Sequence, residues 1–148
     1  MSKQLERLAE FEREREQRIA QMFQQAQQNV MQQKQKLTSL EQYRIDYLKG
    51  IQQTGKAGVT ATHYQQHLSF VGKLDKACEQ QMNVIAQANM AADQRKQLWL
   101  KQQQKVKAVE LLLNKRHLAK VAKEARAEQA MMDEFATQKF FRSGKTFF

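Results

Sequence analysis

Every seventh residue from Tyr64 to Leu113 is apolar or aromatic: Tyr64, Val71, Cys78, Ile85, Ala92, Trp99, Val106 and Leu113. No proline interrupts the run, and its sole glycine is Gly72. A repeat held at seven residues keeps one seam turned toward a partner helix, because about 3.5 residues per turn is the period of a left-handed supercoil. The stretch therefore predicts one very long coiled-coil helix, to which the rest of the chain must be fitted. Four residues on, the companion positions read Leu68, Asp75, Met82, Asn89, Lys96, Gln103, Glu110 and His117, six of the eight polar. Polar residues at such positions fix register at a cost in stability. Long ones such as Lys96 and Gln103 can also snorkel out of a narrow two-stranded interface.

A partner for this helix lies upstream. From Ile19 the chain repeats in alternating steps of four and three: Ile19, Phe23, Ala26, Val30, Gln33, Leu37, Leu40, Arg44, Tyr47 and Ile51. Before Ile19 the register weakens, although Leu5, Leu8, Ala9 and Phe11 still form an apolar stripe; a phase change near Glu12 to Glu16 is the simplest account. Gly50, Gly55 and Gly58 cluster with Thr54, Thr60 and Thr62, so a break is expected there, with Thr60 or Thr62 capping the next helix. A short connection between two heptad helices gives an antiparallel hairpin. Folded about Lys56, it sets Tyr47 opposite roughly Leu68 and Ile19 opposite roughly Lys96, and brings Met1 to about Leu111.

The fold class expected is all-α: an elongated antiparallel two-helix coiled-coil hairpin with unequal helices, the second overhanging. One such hairpin accounts for 1–148. Helix one covers about 3–48, a glycine-rich loop about 49–62, helix two about 63–140 and a tail 141–148. Composition agrees, with no proline, 25 glutamines and no strand-like alternation. The core seam is expected to comprise Ile19, Phe23, Val30, Leu37, Leu40, Tyr47, Tyr64, Val71, Cys78, Ile85, Trp99, Val106 and Leu113.

The net charge of +10 is unevenly placed. Glu6 to Glu16 alternates in sign, whereas Arg95 to Arg126 holds ten cations against Glu110 and Glu124. A basic helix face suits an acidic protein surface, nucleic acid or an anionic membrane, or it simply keeps the molecule solvated. Cys78 stands alone, so neither an internal disulfide nor a zinc cage can form. No signal-peptide pattern opens the chain and no apolar run is long enough to span a bilayer, which points to the cytoplasm.

Two fragments imitate a phosphate-binding loop. Gly50-Ile-Gln-Gln-Thr-Gly55-Lys56 is followed by Ala57 in place of the magnesium-binding hydroxyl, and Ser143-Gly144-Lys145-Thr146 has Lys139 where the first glycine belongs. Neither follows a buried strand. His63, His67 and His117 lack carboxylates at ligand spacing, and a two-stranded rod offers no water-excluding pocket. Catalysis, a cofactor and a metal are therefore not expected. What remains is surface. Phe70, Leu74, Ala77 and Gln81 recur at helical spacing beside the seam; they either thicken the hairpin interface or stand exposed as a docking face, and spacing alone favours the former. Four phenylalanines in the last turns, Phe140, Phe141, Phe147 and Phe148, mark either a docking element or a loose end.

Several segments resemble the FliJ family, the small coiled-coil components of the flagellar type III export apparatus. They are Tyr64-Gln-Gln, Leu74-Asp-Lys-Ala-Cys-Glu-Gln80, Lys105-Val-Lys-Ala-Val-Glu-Leu-Leu-Leu-Asn-Lys-Arg116 and, most specifically, Gln129-Ala-Met-Met-Asp-Glu-Phe-Ala136. The resemblance implies an antiparallel α-hairpin similar to the stalk of rotary ATPases. Such a stalk inserts into the hexameric export ATPase and bridges it to the membrane-embedded export gate, and it also handles export chaperones. It implies that Phe70, Leu74, Ala77 and Gln81 are the gate-docking face, and that Leu5, Leu8, Phe11, Lys105, Lys107, Lys115 and Arg116 meet the ATPase ring. It further implies a cytoplasmic protein held peripherally at the inner membrane of the flagellar base, touching membrane only through the apparatus. Gln81 departs from an apolar docking stripe, and the phenylalanine-rich ending has no counterpart in the family pattern. The equivalent stalk of a virulence-type secretion system shares this logic. A basic coiled coil on nucleic acid is the alternative of another class, disfavoured because phosphate tracking works with stacking aromatics and Trp99 lies on the seam.

Overall fold

The computed structural model describes residues 2–56, 58 and 60–144. It is an all-α helical hairpin in which α1 (Ser2–Lys56) and α2 (Ala61–Arg142) pack against each other, with no strand among the described residues. Both helices are longer than expected at the turn. α1 runs through Gly50 and Gly55, where the loop was expected to start near residue 49. A helical glycine costs only about 1 kcal/mol relative to alanine, and the seam continues past Gly50 to the half-buried Ile51. The residue that needs a glycine is Gly58, at φ 85°. Its amide donates to the Gly55 carbonyl at 3.3 Å. Thr60 then caps α2 as expected, its Oγ1 accepting from the His63 amide at 3.4 Å and its carbonyl from the Tyr64 amide at 3.1 Å. α2 ends at Arg142, and just beyond it Gly144, φ 71°, donates its amide to the Phe141 carbonyl.

Burial along α1 recurs without a break in steps of four and three: Leu5, Ala9, Glu12, Glu16, Ile19, Phe23, Ala26, Val30, Gln33, Leu37, Leu40, Arg44, Tyr47 and Ile51. The expected phase change between Glu12 and Glu16 does not occur. Both glutamates take half-buried seam positions, where an aliphatic stem can cover the interface.

On α2 the seven-residue line holds from Val71 to Leu113, each member buried or half-buried. Tyr64 is the exception, 54% exposed in the first turn of the helix, before the interface begins at His67. The companion line differs from expectation by one residue. The inward positions are His67, Leu74, Gln81, Ala88, Arg95, Gln102 and Val109, three residues after each seam position and not four. Leu68 and Met82 are left half exposed. The cost of burying charge explains the choice. The line four residues on would turn Asp75, Lys96 and Glu110 inward, whereas the observed line carries one full charge, Arg95. Its 3–4 alternation also matches that of α1.

The chain divides into two compact units, Arg15–Gln102 on one hand and Met1–Glu14 with Gln103–Phe148 on the other. In the first, Gln33 meets Gln81, Tyr47 meets His67, and the rings of Phe23 and Trp99 lie 5.7 Å apart. Side chains lean toward the N-terminus of their own helix, so in an antiparallel pair Phe23 and Trp99 converge although each belongs to a different layer. In the second unit Leu5, Ala9 and Val106 are buried and Val109 and Leu113 half-buried, after which every residue from Asn114 to Lys139 is exposed. No large side chain in the described residues is fully buried, as follows when one stripe per helix is all that a pair can cover.

Candidate interaction surfaces

Near the turn, α1 supplies tyrosines and α2 the side chains that fill the space between them. Phe70 packs 4.6 Å from the Tyr47 ring and edge-on to Tyr43 at 6.3 Å. The Tyr47 hydroxyl shares a 2.6 Å hydrogen bond with His67 Nδ1, which satisfies both polar ends of a partly buried stack. Arg44, itself a seam residue, donates Nε to Asp75 Oδ1 at 2.6 Å. Further along, Gln81 Nε2 donates to both the Gln33 carbonyl and Gln33 Oε1 at 2.8 Å.

These contacts locate the stripe Phe70, Leu74, Ala77 and Gln81. It does not stand exposed as a free docking face. Leu74 and Gln81 are 7% and 5% exposed and are interface positions, while Phe70 and Ala77 are half-buried flanks. Gln81, polar where a docking stripe would be apolar, is accounted for by its two bonds to Gln33. What this stretch offers to a partner is the open edge of Phe70 and Ala77. Sequence reasoning missed Tyr43, which sits one residue off the α1 seam and closes over Phe70.

The second surface belongs to the unit built from the start of α1 and the later part of α2. Leu5 is buried at 8%, whereas Leu8 and Phe11 are 44% and 51% exposed. Lys105, Lys107, Lys115 and Arg116 are all exposed. An open groove of about 470 Å³ runs between the helices, with Glu6 and Glu10 on the α1 side and Arg116, His117 and Lys120 on the α2 side. Arg13 Nε donates to Glu110 Oε1 at 3.0 Å beside it. The side chain of Arg116 also closes a smaller cleft with Gln4, Leu5 and Leu8. Six of the seven residues expected to meet the ring thus present accessible surface in one unit, mixing apolar and cationic groups; Leu5 instead anchors the pairing. The Glu110 partner of Arg13 was not legible, since it required the final register.

Among the described residues, no group of three or more His, Cys, Asp or Glu could hold a metal ion. No helix is long and apolar enough to cross a membrane. The Gly50–Gly55 fragment lies inside α1, its backbone amides engaged in the helix, and Thr54 Oγ1 donates to the Gly50 carbonyl at 2.8 Å. Of the phenylalanine-rich ending, Phe140 and Phe141 close α2 with edge-on rings 6.1 Å apart, while Phe147 and Phe148 lie outside the described residues, as does Met1.

No solved structure matches the chain. A curated relative, the Flagellar FliJ protein of Escherichia coli (strain K12), is 26% identical over 106 residues, 72% of each chain. The family model described as Flagellar FliJ protein matches residues 1–145, nearly the whole sequence. With a two-helix hairpin and that span of similarity, the chain belongs to the FliJ family of flagellar proteins.

Proposed function

We propose that this protein is a non-enzymatic stalk and adaptor of the flagellar type III protein export apparatus. The observation that carries the reading is the family match over residues 1–145, which supports a role in flagellar protein export. In this reading the unit containing Leu8, Phe11, Lys105, Lys107, Lys115 and Arg116 enters the export ATPase hexamer. Exposed leucine and phenylalanine supply apolar contact, and the cations meet acidic ring surface. A two-helix stalk has no six-fold symmetry, so it touches unlike subunits of the ring differently. It can therefore favour ring assembly and bias ATP turnover without performing chemistry itself.

The turn-proximal end then links the ring to the export gate, with Phe70 and Ala77 as the accessible edge and Leu74 and Gln81 holding that edge in place. Export chaperones are the third class of partner, and a peripheral position at the inner membrane follows from attachment to the gate. The test is gel filtration of the cognate export ATPase with and without the chain. Co-elution with a larger hexamer fraction is expected. An ATPase profile unchanged by the chain would remove the stalk reading.

A further inference from the structure

A second apolar stripe begins on α2 where the first one ends. Continued past Leu113 in the same steps, the hairpin seam reads Arg116, Lys120, Lys123, Ala127, Ala130 and Glu134, and so ceases to be apolar. On the opposite side of the helix a new line starts: Leu111, Leu118, Ala122, Ala125, Met132 and Ala136. Lys115 and Gln129 complete its alternation of four and three. At roughly 100° per residue, Leu111 points about 160° away from Leu113, so a helix lying on the first seam cannot cover the second. Leu111, Leu118 and Met132 are 70%, 59% and 61% exposed, and the three alanines are exposed as well.

We propose that this stripe is a self-association face, on which a second copy of the chain packs antiparallel with Ala122 opposite Ala125. A two-fold pair needs a surface complementary to itself, and this one is so in both size and charge. The small alanines at the centre let the helix axes approach. Outward from them, Leu118 meets Gln129, Met132 meets the stem of Lys115, and Leu111 meets Ala136, so each large apolar side chain faces a small or flexible one. Of the charges on or beside this stripe, Lys115 and Arg126 lie in its first part and Glu128 and Asp133 in its second, whereas Arg116, Lys120, Lys123 and Glu134 lie on the opposite side. Antiparallel pairing lays the acidic part of each copy along the stretch that holds Lys115 in the other; parallel pairing sets like against like. The same division disfavours a uniformly charged foreign helix, which would suit only one part. This face is separate from the residues assigned to the ATPase ring apart from Lys115, and its assignment does not depend on the stalk reading.

Sedimentation equilibrium of the full chain tests it. A reversible monomer–dimer equilibrium is expected, and Leu118→Lys should weaken it by about tenfold or more. The circular dichroism of that variant should be unchanged, because Leu118 is exposed in the single chain. Orientation is read by oxidising a mixture of two chains lacking Cys78 through Cys78→Ser, one with Lys115→Cys and one with Met132→Cys. The mixed disulfide should exceed either like-with-like product. A monomer at every concentration, a dimer indifferent to Leu118→Lys, or like-with-like cross-linking would each overturn the proposal.

Discussion

Gln81 reaches across the helix pair and donates from one amide nitrogen to both the backbone carbonyl and the side-chain oxygen of Gln33, at 2.8 Å each. It does so from an interface position only 5% exposed, flanked by Cys78 and Ile85 on its own helix. A buried polar layer within the seam fixes register, since any shift strands a buried amide without partners. Replacing Gln33 and Gln81 together by leucine should therefore raise the melting temperature while admitting alternative registers. Paired spin labels on α1 and α2 would report the second effect as a broadened distance distribution. A single sharp distance in the double variant would show that the register is set elsewhere.

The inward position of Leu74 and the outward position of Leu68, three residues either side of Val71 on the same helix, make a direct comparison. Leu74→Ala removes a side chain 7% exposed and should destabilise the hairpin by about 2–3 kcal/mol. Leu68→Ala removes one that is 52% exposed and should change stability by less than about 0.5 kcal/mol. Urea unfolding followed by circular dichroism measures both. A larger loss for Leu68→Ala would mean that the companion line lies where the simple heptad count put it.

That one-residue difference shows what the sequence could and could not convey. The α1 seam and the seven-residue line of α2 were legible because apolar residues such as Ile19, Phe23, Val30, Val71 and Ile85 mark them directly. The companion line of α2 was not, because His67, Gln81, Arg95 and Gln102 are polar and inward, while Leu68 and Met82 are apolar and outward. The usable signal was the 3–4 alternation of α1, which an antiparallel partner has to mirror. Spacing alone favours the stripe of Phe70, Leu74, Ala77 and Gln81 as a thickening of the interface, and the burial of Leu74 and Gln81 agrees with it; the exposed docking face is what the family resemblance implies. Glycine count misplaced the turn, since Gly50 and Gly55 are helical and, of these three glycines, Gly58 alone adopts positive φ. Of the apolar residues proposed for the ring contact, Leu8 and Phe11 are open to solvent while Leu5 is not, a difference that residue type alone does not convey.

Trp99 is half-buried with its ring 5.7 Å from Phe23. Its fluorescence should be blue-shifted relative to free tryptophan in water and should shift to the red on Phe23→Ala. That substitution opens the seam and should cost about 3 kcal/mol or somewhat less, given the partial exposure of the ring. Emission at the position of free tryptophan in the native protein would contradict the pairing of these two helices.

The inter-helix ion pairs Arg13–Glu110 and Arg44–Asp75 are each about half exposed. Exposed pairs are worth about 0–1 kcal/mol and are screened by salt. Arg13→Ala should accordingly lower stability by less than about 1 kcal/mol, with the difference fading at high ionic strength. Arg44→Ala should cost more than Arg13→Ala, because Arg44 also covers the seam with its stem. A larger loss for Arg13→Ala in thermal melts would reverse that order and place more of the hairpin's stability in the charged end.

The most direct test of the account is ATP hydrolysis by the cognate flagellar export ATPase, measured alone, with this protein, and with its Lys115→Ala/Arg116→Ala variant. The account predicts stimulation by the native chain and a clear loss of stimulation by the variant, whose helix content should remain unchanged since both side chains are exposed. A hydrolysis rate indifferent to the native chain would contradict the stalk function, and full stimulation by the variant would move the ring contact away from these cations.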